Sequence, residues 1–498
     1  MVSRDLWPSR TIFILVAVGT AAGLGNFWRF PMLAFEHGGG AFMLALILTN
    51  ILIVYPLVMF ETVLGQRFRA GAPKAMESLK PGTAWIQWIP LVANIFVMMY
   101  YVPVMAWTLT YLVHAFSGSF LQRPETYFAT EILHLTAGIH EPGSIQTGIL
   151  LALLVCYVLV FLCMSRGVHS VSTVVRWTAT LPFLLLSILL VRGVTLPGAG
   201  AGLAALFIPK WSALLDARLW QEAIGQSFFS AGLAFGFYTM AGSHRPPRAE
   251  IPKTTIWVLA GNLTVSILAG ISVFSTLGFM AQQQGVPLEE AAQGGPKLVF
   301  SVLPTAISML PTFKIGFAVL LFLIVLTLAI DSIFGVMEAV VAGLSDLRRR
   351  TGKGLQTTVI LLVFTFCGGI PITLGAGMYY LDVMDHYVGG YLFMLVGLIE
   401  CAVAAYLVGP DKIRGWLNET AAGLSVGRWF NVLLYLIPIV LAILFCAAMV
   451  KEFKGPYEGY PPWAVLSLGV IPLIIISLSA WRFGKRTAAL VGESVQGP

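Results

Sequence analysis

Long apolar runs separated by short polar stretches occupy most of the chain. Twelve reach membrane-spanning length, at about 10–35, 41–66, 86–116, 145–165, 170–192, 219–242, 253–280, 313–345, 356–373, 378–408, 429–450 and 463–482. Since ~20 apolar residues in a helix cross the ~30 Å hydrocarbon core, the pattern predicts an all-α membrane protein with twelve transmembrane helices. Two of the runs are interrupted. The first carries Gly19 to Pro31, GTAAGLGNFWRFP, with three glycines, an Asn, an Arg and a Pro. Glycine weakens a helix, proline removes a donor, and the freed backbone groups must be buried in protein or line a cavity. A mid-membrane charge such as Arg29 costs roughly 2.5–3.5 kcal/mol. Close helix packing explains any one of these glycines. Together with Asn26 and Arg29 they predict an unwound segment that binds something. The sixth run holds a second interruption, Gln226 to Gly236 (QSFFSAGLAFG). It carries the same signal, backbone freed inside an apolar run that must be buried in protein or line a cavity.

Composition agrees: 58% of the residues are hydrophobic and 11% charged, far from the balance of a soluble globular protein. The net charge of +7 follows topology, not nucleic-acid binding. With the N-terminus inside, twenty-one of the thirty Lys and Arg residues lie on the cytoplasmic side, which predicts both termini in the cytoplasm. The first run is too long for a signal peptide. The five cysteines lie in apolar segments without metal-ligand spacing, so packing roles are expected and no disulfide framework. The seven histidines show no HExxH spacing, which leaves an enzyme as the weakest reading.

Several polar residues stand inside the apolar runs. Asp331-Ser332 lies deep in the eighth, where an acid is a functional-site candidate by default. An intramembrane aspartyl protease would need a Tyr-Asp and Gly-x-Gly-Asp pair that is absent, so ion binding ranks higher. Val97 and Tyr101 share a helical face, as do Asn262 with Ser266 and Asp382 with Asp385. Taken singly, a membrane Tyr is a packing or interfacial residue and a buried Asn bonds a neighbouring helix.

The run Gly23-Leu24-Gly25-Asn26-Phe27-Trp28-Arg29-Phe30-Pro31, followed by Glu36-His37-Gly38-Gly39-Gly40-Ala41-Phe42, resembles the first-helix signature of the neurotransmitter:sodium symporters. That family shares the fold of the bacterial leucine transporter, and the resemblance continues in order through the tenth apolar segment. It implies a 5+5 inverted repeat, with helices 1–5 in residues 1–192, helices 6–10 in 193–408 and peripheral helices 11–12 in 409–498. The implied activity is sodium-coupled symport of an amino acid by alternating access. The expected setting is the bilayer of a prokaryotic inner membrane, as monomer or homodimer, with no nucleic-acid partner.

Carried over residue by residue, the resemblance implies two sodium sites. The first takes the Ala21 carbonyl, Asn26, Ser230, Asn262 and the substrate carboxylate. The second takes the carbonyls of Gly19, Ala22 and Leu328 with Asp331 and Ser332. The substrate carboxylate is expected against Ala21, Gly23, Leu24 and Gly25, under Tyr101; glycine at 23 leaves it room, where monoamine carriers have aspartate. The side-chain pocket is expected from Val97, Phe229, Ser230, Gly232, Phe235, Ser332, Gly335 and Val336, favouring a medium or large hydrophobic L-amino acid. Arg29 with Asp385 is the expected outer gate, roofed by Tyr101 and Phe229. Arg4 with Asp346, beside Trp7, is the inner one. Gln226, Ser230 and Ser266 supply three donors of a chloride site beside Asn262 whose fourth donor, a tyrosine, is replaced by Leu46, so weak chloride stimulation is expected, with Glu222 as rival source of negative charge. In segment five, Ser172 stands ten before Pro182 where relatives tend to have glycine. The alternative to transport is a sensor or receptor that binds an amino acid without moving it; a channel ranks lower.

Overall fold

The computed structural model describes residues 5–165, 168–292, 294–347, 354–421, 423–452 and 457–496. Regular structure among them is helical, apart from an isolated bridge between Ile145 and Leu374. The first apolar run is two helices, α1 (Arg10–Ala21) and α2 (Gly25–Glu36), bent by 56° at the break. Then come α3 (Gly40–Phe68), α4 (Ala84–Ser117) and α5 (Thr147–Met164). The fifth run is α6 (Val168–Thr178) and α7 (Leu181–Val194). Pro182 lacks the N–H that would reach the Thr178 carbonyl, which accounts for that break. The sixth is α8 (Ala217–Ala231) and α9 (Phe237–Ser243). The remainder are α10 (Pro252–Gln284), α11 (Lys314–Leu347), α12 (Leu355–Thr373), α13 (Gly377–Val408), α14 (Trp429–Val450) and α15 (Pro462–Glu493).

Ten helices among the described residues are long and apolar enough to cross a membrane, counting α6 and α7 as one, and the bent pair makes an eleventh. The sixth run is split into pieces of 15 and 7 residues, so a count of twelve rests on α8 and α9 crossing together. The last span continues well past the 482 expected from its apolar run, to Glu493.

Burial ranks the helices. The apolar stretch of α4 is 83% buried, those of α14 and α15 only 28%, so α4 is a central column and the last two are peripheral. Small residues set α1 deep among its neighbours. A Cβ at Gly261 of α10 would lie 2.7 Å from the Val18 side chain, and one at Gly335 of α11 would overlap Thr20. Close approach of this kind is how membrane helices gain packing without a hydrophobic drive. The Ser9 hydroxyl caps α1 by accepting from the Ile12 N–H.

Candidate functional site

The two breaks face each other across a cavity that offers water centres about 60 Å³. Of the thirteen residues expected around a substrate, twelve line it: Ala21, Gly23, Leu24 and Gly25 from the first break, Val97 and Tyr101 from α4, Phe229, Ser230, Gly232 and Phe235 from α8 and the second break, and Ser332 and Val336 from α11. Gly335 does not. Its α-carbon faces Thr20, so it is a packing contact between α11 and α1 and leaves no room in the cavity. Thr20, Asn26, Tyr100, Phe237, Ile333 and Asp385 complete the wall. Absence of side chains shapes the floor: a Cβ at Gly23 would meet Ser332 Oγ at 2.6 Å, and one at Gly25 the Phe229 ring at 2.6 Å.

The freed backbone of the second break is held from outside it. Its turn uses positive φ at Gly232 (65°), Ala234 (62°) and Gly236 (76°). The Glu61 carboxylate of α3 accepts the Ala234 N–H at 2.9 Å, and Asn94 of α4 donates to the Phe235 carbonyl at 3.0 Å. Tyr238 donates to the Ala231 carbonyl at 2.8 Å. Glu61 is fully buried, as is Glu400, which accepts from Gln87. The sequence reading passed over both acids, although each stands inside an apolar run and carried the same signal as Asp331.

Beside the cavity lie two groups of buried oxygens. In the first, Asn26 Nδ2 donates to Asn262 Oδ1 and to Ser266 Oγ, each at 2.8 Å, and Asn262 Nδ2 donates to Ser230 Oγ at 3.3 Å. Asn26 Oδ1 is buried without a partner. Gln226 donates to the Gly25 carbonyl at 3.2 Å, which joins α8 to the first break. In the second group, Asp331 Oδ1 accepts from Thr178 Oγ1 at 2.5 Å while Oδ2 is buried and unpartnered. A Cβ at Gly19 would lie 2.7 Å from that oxygen, so α1 presents bare backbone to it. Ser332 donates to the Leu328 carbonyl. No cluster of three His, Cys, Asp or Glu occurs among the described residues. The donor set is oxygen alone, as a hard cation requires, and the orphaned Asn26 and Asp331 oxygens fit one at each group.

At one mouth the expected gate is differently paired. Arg29 reaches Glu222 at 3.4 Å and lies 5.9 Å over the Phe229 ring, whereas Asp385 accepts from Tyr100 at 2.8 Å. A second cavity, of about 290 Å³, continues outward past Arg29, Asp382, Asp385 and Tyr457. Tyr457 and Tyr460 donate to Asp382 at 3.1 and 2.8 Å; burial and that carboxylate push both phenols up. At the other mouth, Trp7 donates to the Ala241 carbonyl at 2.9 Å and Asp346 accepts the Gly71 N–H at 2.6 Å. Arg4 lies outside the described residues.

A family model described as the sodium:neurotransmitter symporter family matches residues 4–122 and 119–483. The chain is 33% identical over 479 residues to an uncharacterised sodium-dependent transporter of Methanocaldococcus jannaschii, covering 95% of this chain and 96% of that one. It is 30% identical to a sodium- and chloride-dependent taurine transporter of Bos taurus (95% and 84% covered). A sodium- and chloride-dependent glycine transporter 2 of Xenopus laevis is 29% identical (93% and 67%).

Proposed function

The chain belongs to the sodium:neurotransmitter symporter family, and from that premise we propose that it imports a neutral, medium-sized hydrophobic L-amino acid together with sodium. One observation carries the reading: a small cavity with bare backbone on one side and apolar side chains on the other, flanked by unpartnered buried oxygens. The break amides suit a carboxylate, and the wall formed by Val97, Phe235, Ile333 and Val336 suits an aliphatic side chain. Size limits the choice. The 60 Å³ for water centres corresponds to roughly four to six waters, or roughly 120–180 Å³ of liquid, closer to a valine or leucine than to an aromatic amino acid.

Sodium would be taken at Asn26, Ser230 and Asn262 with the Ala21 carbonyl, and at Asp331 and Ser332 with the carbonyls of Gly19, Ala22 and Leu328. Two ions at −100 mV with a tenfold gradient supply roughly 7 kcal/mol, enough for roughly 10⁵-fold accumulation at the limit. Arg29 exchanging Glu222 for Asp385 would close the cavity beneath Tyr101 and Phe229. The Lys and Arg distribution supports both termini on the cytoplasmic side. Chloride stimulation is proposed as weak, since Gln226, Ser230, Asn262 and Ser266 stand without a tyrosine at Leu46. Uptake of labelled leucine into proteoliposomes in sodium and in choline media tests the reading. Equal uptake in the two media refutes symport. Sodium-dependent binding without uptake would make the chain a sensor.

A further inference from the structure

The Asp331 carboxylate stands where three helices meet, and one of its partners comes from an element that the two sodium sites do not involve. Thr178 is the last residue of α6, immediately before the break that Pro182 imposes. Its hydroxyl lies 2.5 Å from Asp331 Oδ1 and 3.2 Å from the Val174 carbonyl one turn back. A hydroxyl has one proton to donate, and of its two acceptors the Asp331 oxygen is the nearer. The other carboxylate oxygen receives nothing and faces α1, where a Cβ on Gly19 would lie 2.7 Å from it and 3.1 Å from the Ala179 methyl. The carboxylate is thus held by α6 at one oxygen and open to α1 at the other.

We propose that Thr178 is a positioning residue that ties the break between α6 and α7 to the cation site at Asp331. The hydroxyl fixes the rotation of the carboxylate so that its free oxygen points at α1. A cation taken there joins α1, α11 and α6 through one side chain; without it the Thr178–Asp331 bond links α6 to α11 but not to α1. This rests on the sodium reading of Asp331. A threonine serving only its own helix through Val174 would leave α6 indifferent to sodium.

Hydrogen–deuterium exchange of the purified full chain in nanodiscs, in sodium and in choline at equal ionic strength, tests it. Wild type, Thr178→Val and Thr178→Ser are compared. Sodium is expected to slow exchange in both segments 19–26 and 178–184 of wild type and of Thr178→Ser. In Thr178→Val the slowing should persist at 19–26 and vanish at 178–184. The sodium concentration for half-maximal protection at 19–26 should rise about tenfold, as for loss of a hydrogen bond to a charged group. Equal slowing of 178–184 in wild type and Thr178→Val overturns the proposal. So does slowing of 19–26 alone in wild type, which leaves the sodium reading intact. Slowing in neither segment of wild type removes the sodium reading and the proposal with it. Because two of these outcomes are read on wild type, a poorly folded Thr178→Val does not protect the proposal.

Discussion

Replacing Gly25 by alanine adds one methyl group where the structure has none to spare. The new Cβ would stand 2.6 Å from the Phe229 ring, so the ring must withdraw to at least the 3.4 Å of ordinary contact. Gly25 carries no positive φ, and alanine favours a helix over glycine by about 1 kcal/mol, so the backbone itself gains. The whole penalty falls on the ring, which lines the cavity, and a ring pushed toward that cavity takes space from the ligand. Overpacking of this kind costs about 1–3 kcal/mol, which a filled cavity would pass on as roughly 5- to 150-fold weaker substrate binding. A ligand smaller by two or three carbons leaves the ring its room. We expect Gly25→Ala to weaken leucine binding by about tenfold while alanine binding changes by less than about threefold. Equilibrium binding of both amino acids at saturating sodium reads this directly. Unchanged leucine affinity, or equal losses for the two ligands, would show that Phe229 does not set the size of the site.

Asp331→Ala should raise the sodium concentration for half-maximal uptake or abolish transport while the protein still inserts; wild-type sodium activation in that variant would mean that the second site is misplaced. Glu222→Gln frees Arg29 for Asp385 and should slow substrate release, whereas Asp385→Asn should speed it. Because Arg29 and Glu222 are both over a third exposed, each change should stay within about fivefold, measured by isotope chase. Equal release rates in both variants would exclude the exchange of partners. Replacing chloride by gluconate at constant sodium should lower uptake, and Ser266→Glu should abolish that dependence; unaffected wild-type uptake would rule out an anion at Gln226, Ser230, Asn262 and Ser266.

The first break was legible because Gly19, Gly23, Gly25, Asn26, Arg29 and Pro31 each oppose a lipid-facing helix, and their sum has no bland reading. Most of the cavity followed from it, since its remaining walls come from residues in register with a known family. Three features were hidden for separate reasons. Thr178 reads as an ordinary membrane threonine, because back-bonding to the preceding turn needs no partner elsewhere. Gly335 could make room for a ligand or for a neighbouring helix, and only packing shows that the neighbour is Thr20. Arg29 had two acids within plausible reach, and sequence carries no information on which conformation is populated. Glu61 and Glu400 differ again: each is an acid inside an apolar run, a signal as plain in the sequence as that of Asp331.

The clamp on the second break bears on how the molecule is assembled. The Ala234 amide and the Phe235 carbonyl are satisfied by Glu61 and Asn94, side chains made well over a hundred residues earlier in the chain. Unpaired in hydrocarbon, such groups cost several kcal/mol each, so the break is tolerable only beside α3 and α4. Synthesis from the N-terminus places those two helices in the bilayer before α8 and α9 leave the ribosome. The earlier part of the chain is therefore a mould for the later one, and the dependence runs one way. A fragment beginning at residue 193 keeps the Tyr238 contact but has no partner for the Ala234 amide or the Phe235 carbonyl, and the remedy is to supply residues 1–192 in the same membrane.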